Sequence, residues 1–195
     1  MIQIKTYVIS DLRLFDDEQR DKLGYSSYSE MNNFIIYSWN RVVTDEDIVI
    51  VTGKVGNGTL EEMSEVIKHL HGSLTLLTTK LNTNFSKDEW REIGFKHIWS
   101  VPLFKEFENK DKAVYVIDPI ENLNDYKDFK VLAVDSSNYF DGLILSNMLS
   151  LDAAKWSYSP IDSDSLLEIY ENMKMFEDLD IGEQHTTEIK EEWEQ

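Results

Sequence analysis

Three short apolar runs, each closing on polar residues, set the rhythm of the first half of the chain. Tyr7-Val8-Ile9-Ser10 leads into Asp11, Leu12 and Arg13; Ile48-Val49-Ile50-Val51-Thr52-Gly53 leads into Lys54; Leu74-Thr75-Leu76-Leu77-Thr78 leads towards Lys80 and Asn82. Apolar runs of this kind are the pattern of β-strands. Between them the spacing switches to that of helices. Met31, Phe34, Ile35, Trp39 and Val42 mark one apolar face, and Met63, Val66, Ile67 and Leu70 mark a second. Ser27/Glu30, Thr59/Glu62 and Ser86/Glu89 carry capping-box spacing, and Gly72 and Gly94 stand where helices end. Strand–helix alternation predicts an α/β fold in which three strands hand polar residues to one edge.

Beyond this repeat the elements are shorter. Ile2 to Ser10 reads as the first strand and Asp11 to Gly24 as a polar loop. Phe95 to Val101 reads as a strand. Phe104–Phe107 and Ala113–Ile117 flank Asn109-Lys110-Asp111 as a hairpin, followed by strands at Val131–Val134 and Phe140–Met148 and a helix over Asp162–Phe176. Two β-α units followed by mostly strands predict a sheet sandwich flanked by helices. From Glu177 the composition changes: residues 177–195 hold eight carboxylates and one lysine, the signature of an acidic tail. The expected organisation is one domain over 1–176 and a tail over 177–195.

Charge and composition narrow the function. A net charge of −18 disfavours nucleic acid and anionic membrane, which need surplus Lys and Arg, and suits a basic protein partner; the same charge also serves solubility. There is no cysteine, which removes thiolate metal sites and fits a cytoplasmic setting. The N-terminus lacks the pattern of a signal peptide, and no apolar run reaches membrane-spanning length. Gly53-Lys54-Val55-Gly56-Asn57-Gly58 has neither Walker nor dinucleotide spacing, so it reads as a loop needing left-handed backbone. Tyr25, Tyr28 and Trp193 are candidate anchors for a partner.

The order of these pieces resembles the calcineurin-like metallophosphoesterases, especially small bacterial and phage members. The likeness spans residues 2–176. It rests on a strand followed by Asp11, on Ser27, Glu30 and Met31 opening a helix that holds Trp39-Asn40, on Gly53 after the second strand, on Phe95-Lys96-His97-Ile98, and on Trp156-Ser157-Tyr158-Ser159-Pro160-Ile161. The resemblance implies a metallophosphoesterase-like β-sandwich and a centre of two divalent metals that activate water and neutralise phosphate.

Residue by residue, the metal ligands of that family are missing. Asp11 keeps the aspartate of Asp-x-His, but Arg13 stands for the histidine. Lys54 stands where a bridging aspartate follows glycine, and Thr79-Lys80-Leu81-Asn82 replaces Gly-Asn-His-Asp. Val116-Ile117 and Val134-Asp135-Ser136-Ser137 stand for the later histidine segments. Three cations around Asp11 oppose binding of two dications, and His69, His71, His97 and His185 form no ligand cluster in sequence. The expectation is a pseudoenzyme with no cofactor. Its old pocket of Asp11, Arg13, Lys54, Lys80, Asn82 and Asp135 would be plugged by ion pairs or would bind an anion. With the resemblance to phage proteins, the acidity implies a phage-encoded modulator of a basic host protein, such as a sigma factor, RNA polymerase or a replication component. Two alternatives stay open: a metal-independent phosphate or nucleotide sensor using Arg13, Lys54 and Lys80, and a residual phosphoesterase.

Overall fold

The computed structural model describes residues 3–78, 82, 84–99, 113–116, 131–134, 148–166, 168–169 and 171–172. The first strand, β1 (Thr6–Ser10), is followed by α1 (Asp17–Leu23) and α2 (Tyr28–Asn40), then by β2 (Ile48–Thr52), α3 (Leu60–Ile67), β3 (Ser73–Leu77), α4 (Lys87–Ile93) and β4 (His97–Trp99). Three further strands, β5 (Ala113–Val116), β6 (Val131–Val134) and β7 (Met148–Ser150), precede a two-residue strand, β8 (Ile161–Asp162). The strands form one five-stranded sheet in the order β4-β3-β2-β1-β8 and one three-stranded sheet in the order β5-β6-β7. Neighbours from β1 to β4 are parallel, and β8 runs antiparallel to β1. The fold is therefore mixed α/β, with a mixed five-stranded sheet flanked by helices.

Apolar alternation explains the layering. On β1 and β2, Tyr7, Ile9, Val49 and Val51 join a core with Met31, Ile35 and Trp39 of α2 and Met63, Val66 and Ile67 of α3. Val8 and Ile50 point to the opposite face, where they meet Leu149, Leu151, Ile161 and Leu166. Both faces of the central strands are thus covered, as their continuous apolar runs require. A parallel bridge between Ser10 and Asp152, with Ser10 N donating to Leu151 O at 2.9 Å, ties β1 to the chain leaving β7.

The helices start where the caps put them. Thr59/Glu62 and Ser86/Glu89 form complete capping boxes. Ser27 accepts from Glu30 N, but the Glu30 carboxylate reaches one residue further back, to Ser26 N and Oγ. Trp39 and Asn40 fix the turn between α3 and β3. The Trp39 indole donates to His71 O at 3.0 Å, while the Asn40 amide donates to His69 O and accepts from His71 N.

Some expectations need correction, and others fall on residues outside the described set. The stretch Asp11–Gly24 is not all loop, because Asp17–Leu23 is α1. Its seven residues carry no apolar stripe, and only Gln19 is buried; the helix stands on its ends, with Asp16 accepting from Gln19 N and Gly24 closing it at φ 77°. The first strand begins at Thr6 and the fourth begins at His97; residues 100 and 101 lie outside the described residues. Strand Ala113–Val116 pairs in parallel with Val131–Val134; the proposed hairpin partner, Phe104–Phe107, lies outside the described residues. At the C-terminal end, Asp162 belongs to β8 and Ser163–Ser165 to a 3-10 turn, with Asp162 capping through Asp164 N, so helical residues begin at 166. Phe140–Asn147 and the acidic tail also lie outside the described residues.

Candidate functional site

The loops that leave β1 and β2 are stitched together past the ends of the strands. Asp11 N donates to Thr52 O, Arg13 N to Lys54 O, Leu14 N to Val55 O and Asn57 N to Leu14 O, at 2.9 to 3.1 Å. To hold this register, Asp11, Arg13 and Phe15 adopt left-handed backbone, with φ of 56°, 51° and 55°. Leu12 and Leu14 alternate with them and are fully buried. Asp11 is among the better-tolerated residue types in that conformation; the bulky Phe15 is not, and holding it there is a cost the surrounding structure bears.

Asp11 itself is fully buried. Its Oδ1 accepts from Lys54 N at 2.9 Å and its Oδ2 from Ser10 Oγ at 2.9 Å. Gly53, at φ 66°, passes directly over this carboxylate: a Cβ there would stand 2.6–2.8 Å from Oδ1, Cγ and Oδ2. The Asp11 carboxylate thus works as a clasp between two loops.

The Lys54 ammonium turns to a different carboxylate. It lies 2.6 Å from Asp16 Oδ2, and the Asn57 amide donates to the same oxygen at 3.3 Å. Burial alone pushes the Asp16 carboxyl up. The Lys54 hydrogen bond, the Gln19 N–H and the charges of Lys54 and Arg13 outweigh that and hold it below the usual carboxylate range. A lowered folded-state value means the pair contributes stability above the unfolded carboxylate range and loses it as pH falls through the folded value. Lys54→Met is expected to cost about 1–2 kcal/mol near neutral pH, because a nearly buried carboxylate loses its cation but keeps other donors. The difference from wild type should shrink once Asp16 is protonated in both proteins, which urea unfolding at neutral and strongly acidic pH will measure.

Asn82 closes the far side. Its amide donates to Gly53 O at 2.7 Å and accepts from Val55 N at 3.2 Å, and its own carbonyl receives the Trp90 indole at 3.4 Å. Arg13 takes part in none of the ion pairs among the described residues. Its charge acts through space on Asp16 and on Tyr158. Burial drives the Tyr158 hydroxyl up to about 12, although the Gln19 amide donates to it at 3.3 Å.

The structure therefore brings Asp11, Arg13, Lys54 and Asn82 to one edge of the sheet, as the three strand ends imply. Lys80 and Asp135 lie outside the described residues. Sequence reasoning missed Asp16, the partner of Lys54; its signal was an Asp directly before the acidic pair Asp17-Glu18, the start of a helix. Among the described residues no group of three or more His, Asp or Glu side chains converges as metal ligands do. At this edge the described cation, the Lys54 ammonium, is spent on Asp16. His69 and His71 bind backbone carbonyls of Glu65 and Val43. Tyr25 is partly buried against Phe34, and Tyr28 lies between Phe15 and the Arg20 guanidinium; Trp193 lies outside the described residues.

No protein-family model matches the chain, and no curated protein does. Among solved structures, the chain is similar to the protein of unknown function AQ665 from Aquifex aeolicus, with a TM-score of 0.59 and 16% identity. That similarity covers 86% of this chain and 100% of the other. At such identity it is a likeness of fold. No helix among the described residues is long and apolar enough to cross a membrane.

Proposed function

We propose that this chain is a non-catalytic protein-binding module on a metallophosphoesterase-like scaffold. One observation carries the reading: Asp11, Lys54 and Asn82 at the strand ends are engaged in holding loops. Asp11 clasps Lys54 N and Ser10 Oγ, Lys54 neutralises Asp16, and Asn82 uses both ends of its amide on the Gly53–Val55 backbone. Groups committed in this way support architecture and do not present themselves to a substrate. The charge of −18 then supplies the partner's chemistry, a basic protein steered in by the field. A DNA-facing component of a host's transcription or replication machinery, such as a sigma factor, has that chemistry, and a phage-encoded modulator is the setting that the sequence resemblance suggests.

The test has two arms. Incubation with an aryl phosphodiester and Mn²⁺ is expected to give no turnover above the metal alone. Turnover that Asp11→Ala abolishes would restore the phosphoesterase reading. Affinity capture from a bacterial lysate at low salt is expected to recover a Lys/Arg-rich protein that releases as salt rises, because screening shortens the reach of the field. Recovery of no such protein at low salt counts against the binder.

A second reading has its own observation. Arg13 is half-buried at the strand edge, outside the described ion pairs, and the buried Thr52 Oγ1 at the end of β2 has no hydrogen-bond partner. A cation and a hydroxyl at one sheet edge suit an anion such as a phosphate or nucleotide. A thermal-shift panel of nucleotides tests this. A shift that disappears in the Arg13/Lys54/Lys80 triple alanine variant supports the sensor, and no shift in wild type removes it.

A further inference from the structure

We infer that α1 is a hinged flap whose Asp16 carboxylate holds the Lys54 ammonium in place of an outside anion. The inference rests on the anion-sensing reading and gives that site a regulator within the chain. α1 is seven residues long, well under the length of about 12 residues at which a helix begins to stand alone in water. Gln19 is its one buried residue, while Asp17, Glu18, Asp21, Lys22 and Leu23 are exposed. A helix without an apolar face draws little from the core, and elements of that kind open locally at far lower free energy than the fold as a whole.

The ends of the segment are fixed, and the joints lie just inside them. On one side Leu14 N donates to Val55 O, and Leu14 O accepts from Asn57 N. On the other, Ser26 N and Oγ donate to the Glu30 carboxylate, and Ser27 caps α2. Between these anchors stand two left-handed residues, Phe15 at φ 55° and Gly24 at φ 77°. Phe15 is strained in that conformation, so movement at this joint relieves strain, and Gly24 turns at little cost.

Polar contacts hold the flap down. The Gln19 amide donates to the Tyr158 hydroxyl at 3.3 Å, and the Arg20 guanidinium stands 5.0 Å from the centre of the Tyr28 ring. The contact that matters for function is at the N-cap. Lys54 Nζ lies 2.6 Å from Asp16 Oδ2, and the Asn57 amide donates to the same oxygen at 3.3 Å. The charge of Arg13 acts on this carboxylate as well. An anionic oxygen on an ammonium, with an amide donor beside it and a second cation nearby, is the arrangement that a phosphate would make at this edge. Asp16 fills that part from within. The Lys54 side chain stays partly exposed whereas Asp16 is nearly buried, so an outside anion takes Lys54 by displacing Asp16, and Asp16 moves out only as the flap lifts.

Hydrogen exchange on the full chain, read by NMR near neutral pH, tests the flap. The hydrogen-bonded amides of Arg20, Gly24 and Tyr25 are expected to exchange at least about tenfold faster than those in the middle of α2. Equal protection in α1 and α2 would overturn the flap. Asp16→Asn keeps a capping side chain and removes the charge. It should speed exchange at those three amides by about tenfold and, in calorimetric titration, bind inorganic phosphate about tenfold more tightly than wild type. Glu46→Gln, in the exposed turn before β2, removes the same charge elsewhere and should leave phosphate affinity within about twofold. Equal gains in Asp16→Asn and Glu46→Gln, or equal affinity in Asp16→Asn and wild type, would overturn Asp16 as the competitor and leave the anion-sensing reading intact. If neither wild type nor Asp16→Asn binds phosphate, both fall. The wild-type exchange pattern needs no variant, so it tests the flap even if Asp16→Asn were to fold poorly.

Discussion

Gly53→Ala is expected to lower stability by about 3–4 kcal/mol, one of the largest single-residue effects in this fold. Two costs combine. Alanine at φ 66° adopts a left-handed backbone that costs about 1 kcal/mol by itself. Its Cβ then falls 2.6–2.8 Å from three atoms of the Asp11 carboxylate, which is buried and cannot swing away without releasing Lys54 N and Ser10 Oγ. Gly24→Ala separates the two costs. Gly24 has φ 77°, and a methyl group there would meet nothing within 4 Å, so its variant carries backbone strain alone, about 1 kcal/mol. Urea unfolding of the two variants should differ by about 2 kcal/mol or more, and the Gly53 variant should melt roughly 10 °C below wild type. Equal losses at the two glycines would show that the carboxylate yields freely and that the clasp at Asp11 is not rigid.

How far this was legible in sequence varied with the kind of interaction. The three apolar runs and their helices were readable because burial on two faces, or on one stripe, leaves a period in the chain. The caps at Thr59 and Ser86 were readable because a capping box is complete within four residues. α1 was not, since its seven residues bury almost nothing and its existence depends on Asp16 and Gly24 alone. The strand ends were readable as a meeting place: Asp11, Lys54 and Asn82 do gather there. The pairing within that place was not. Lys54 had Asp11 and Asp16 within reach, and which one its ammonium takes depends on the backbone. By giving its own N–H to Asp11, the Lys54 backbone leaves the side chain to cross to Asp16. Nothing local in sequence marks a bond between residues so far apart.

Asp11→Ala is expected to cost about 3 kcal/mol, and Asp11→Asn about 1 kcal/mol. The alanine leaves Lys54 N and the Ser10 hydroxyl without their buried acceptor, and it places a β-carbon residue with no polar group at φ 56°. Hydrogen bonds to a charged acceptor each contribute about 1.5–3 kcal/mol, so loss of the clasp accounts for most of the effect. Asparagine tolerates left-handed backbone, retains an oxygen for Lys54 N, and can turn its amide towards the Ser10 oxygen. The order wild type, Asn, Ala is what a structural carboxylate requires. A carboxylate kept for metal would behave in the opposite sense in the metal-free protein, because removing a buried charge poised for a ligand relieves strain and raises stability. Denaturation of the two variants without added metal therefore reads out the role of Asp11 independently of any activity assay. The Gly53→Ala/Asp11→Ala double variant sharpens it: with the carboxylate gone, the alanine at 53 no longer clashes, so the pair should lose about 1–2 kcal/mol less than the sum of the single changes. Additive losses would mean that the two residues do not meet, and an Asp11→Ala protein more stable than wild type would return this sheet edge to metal chemistry.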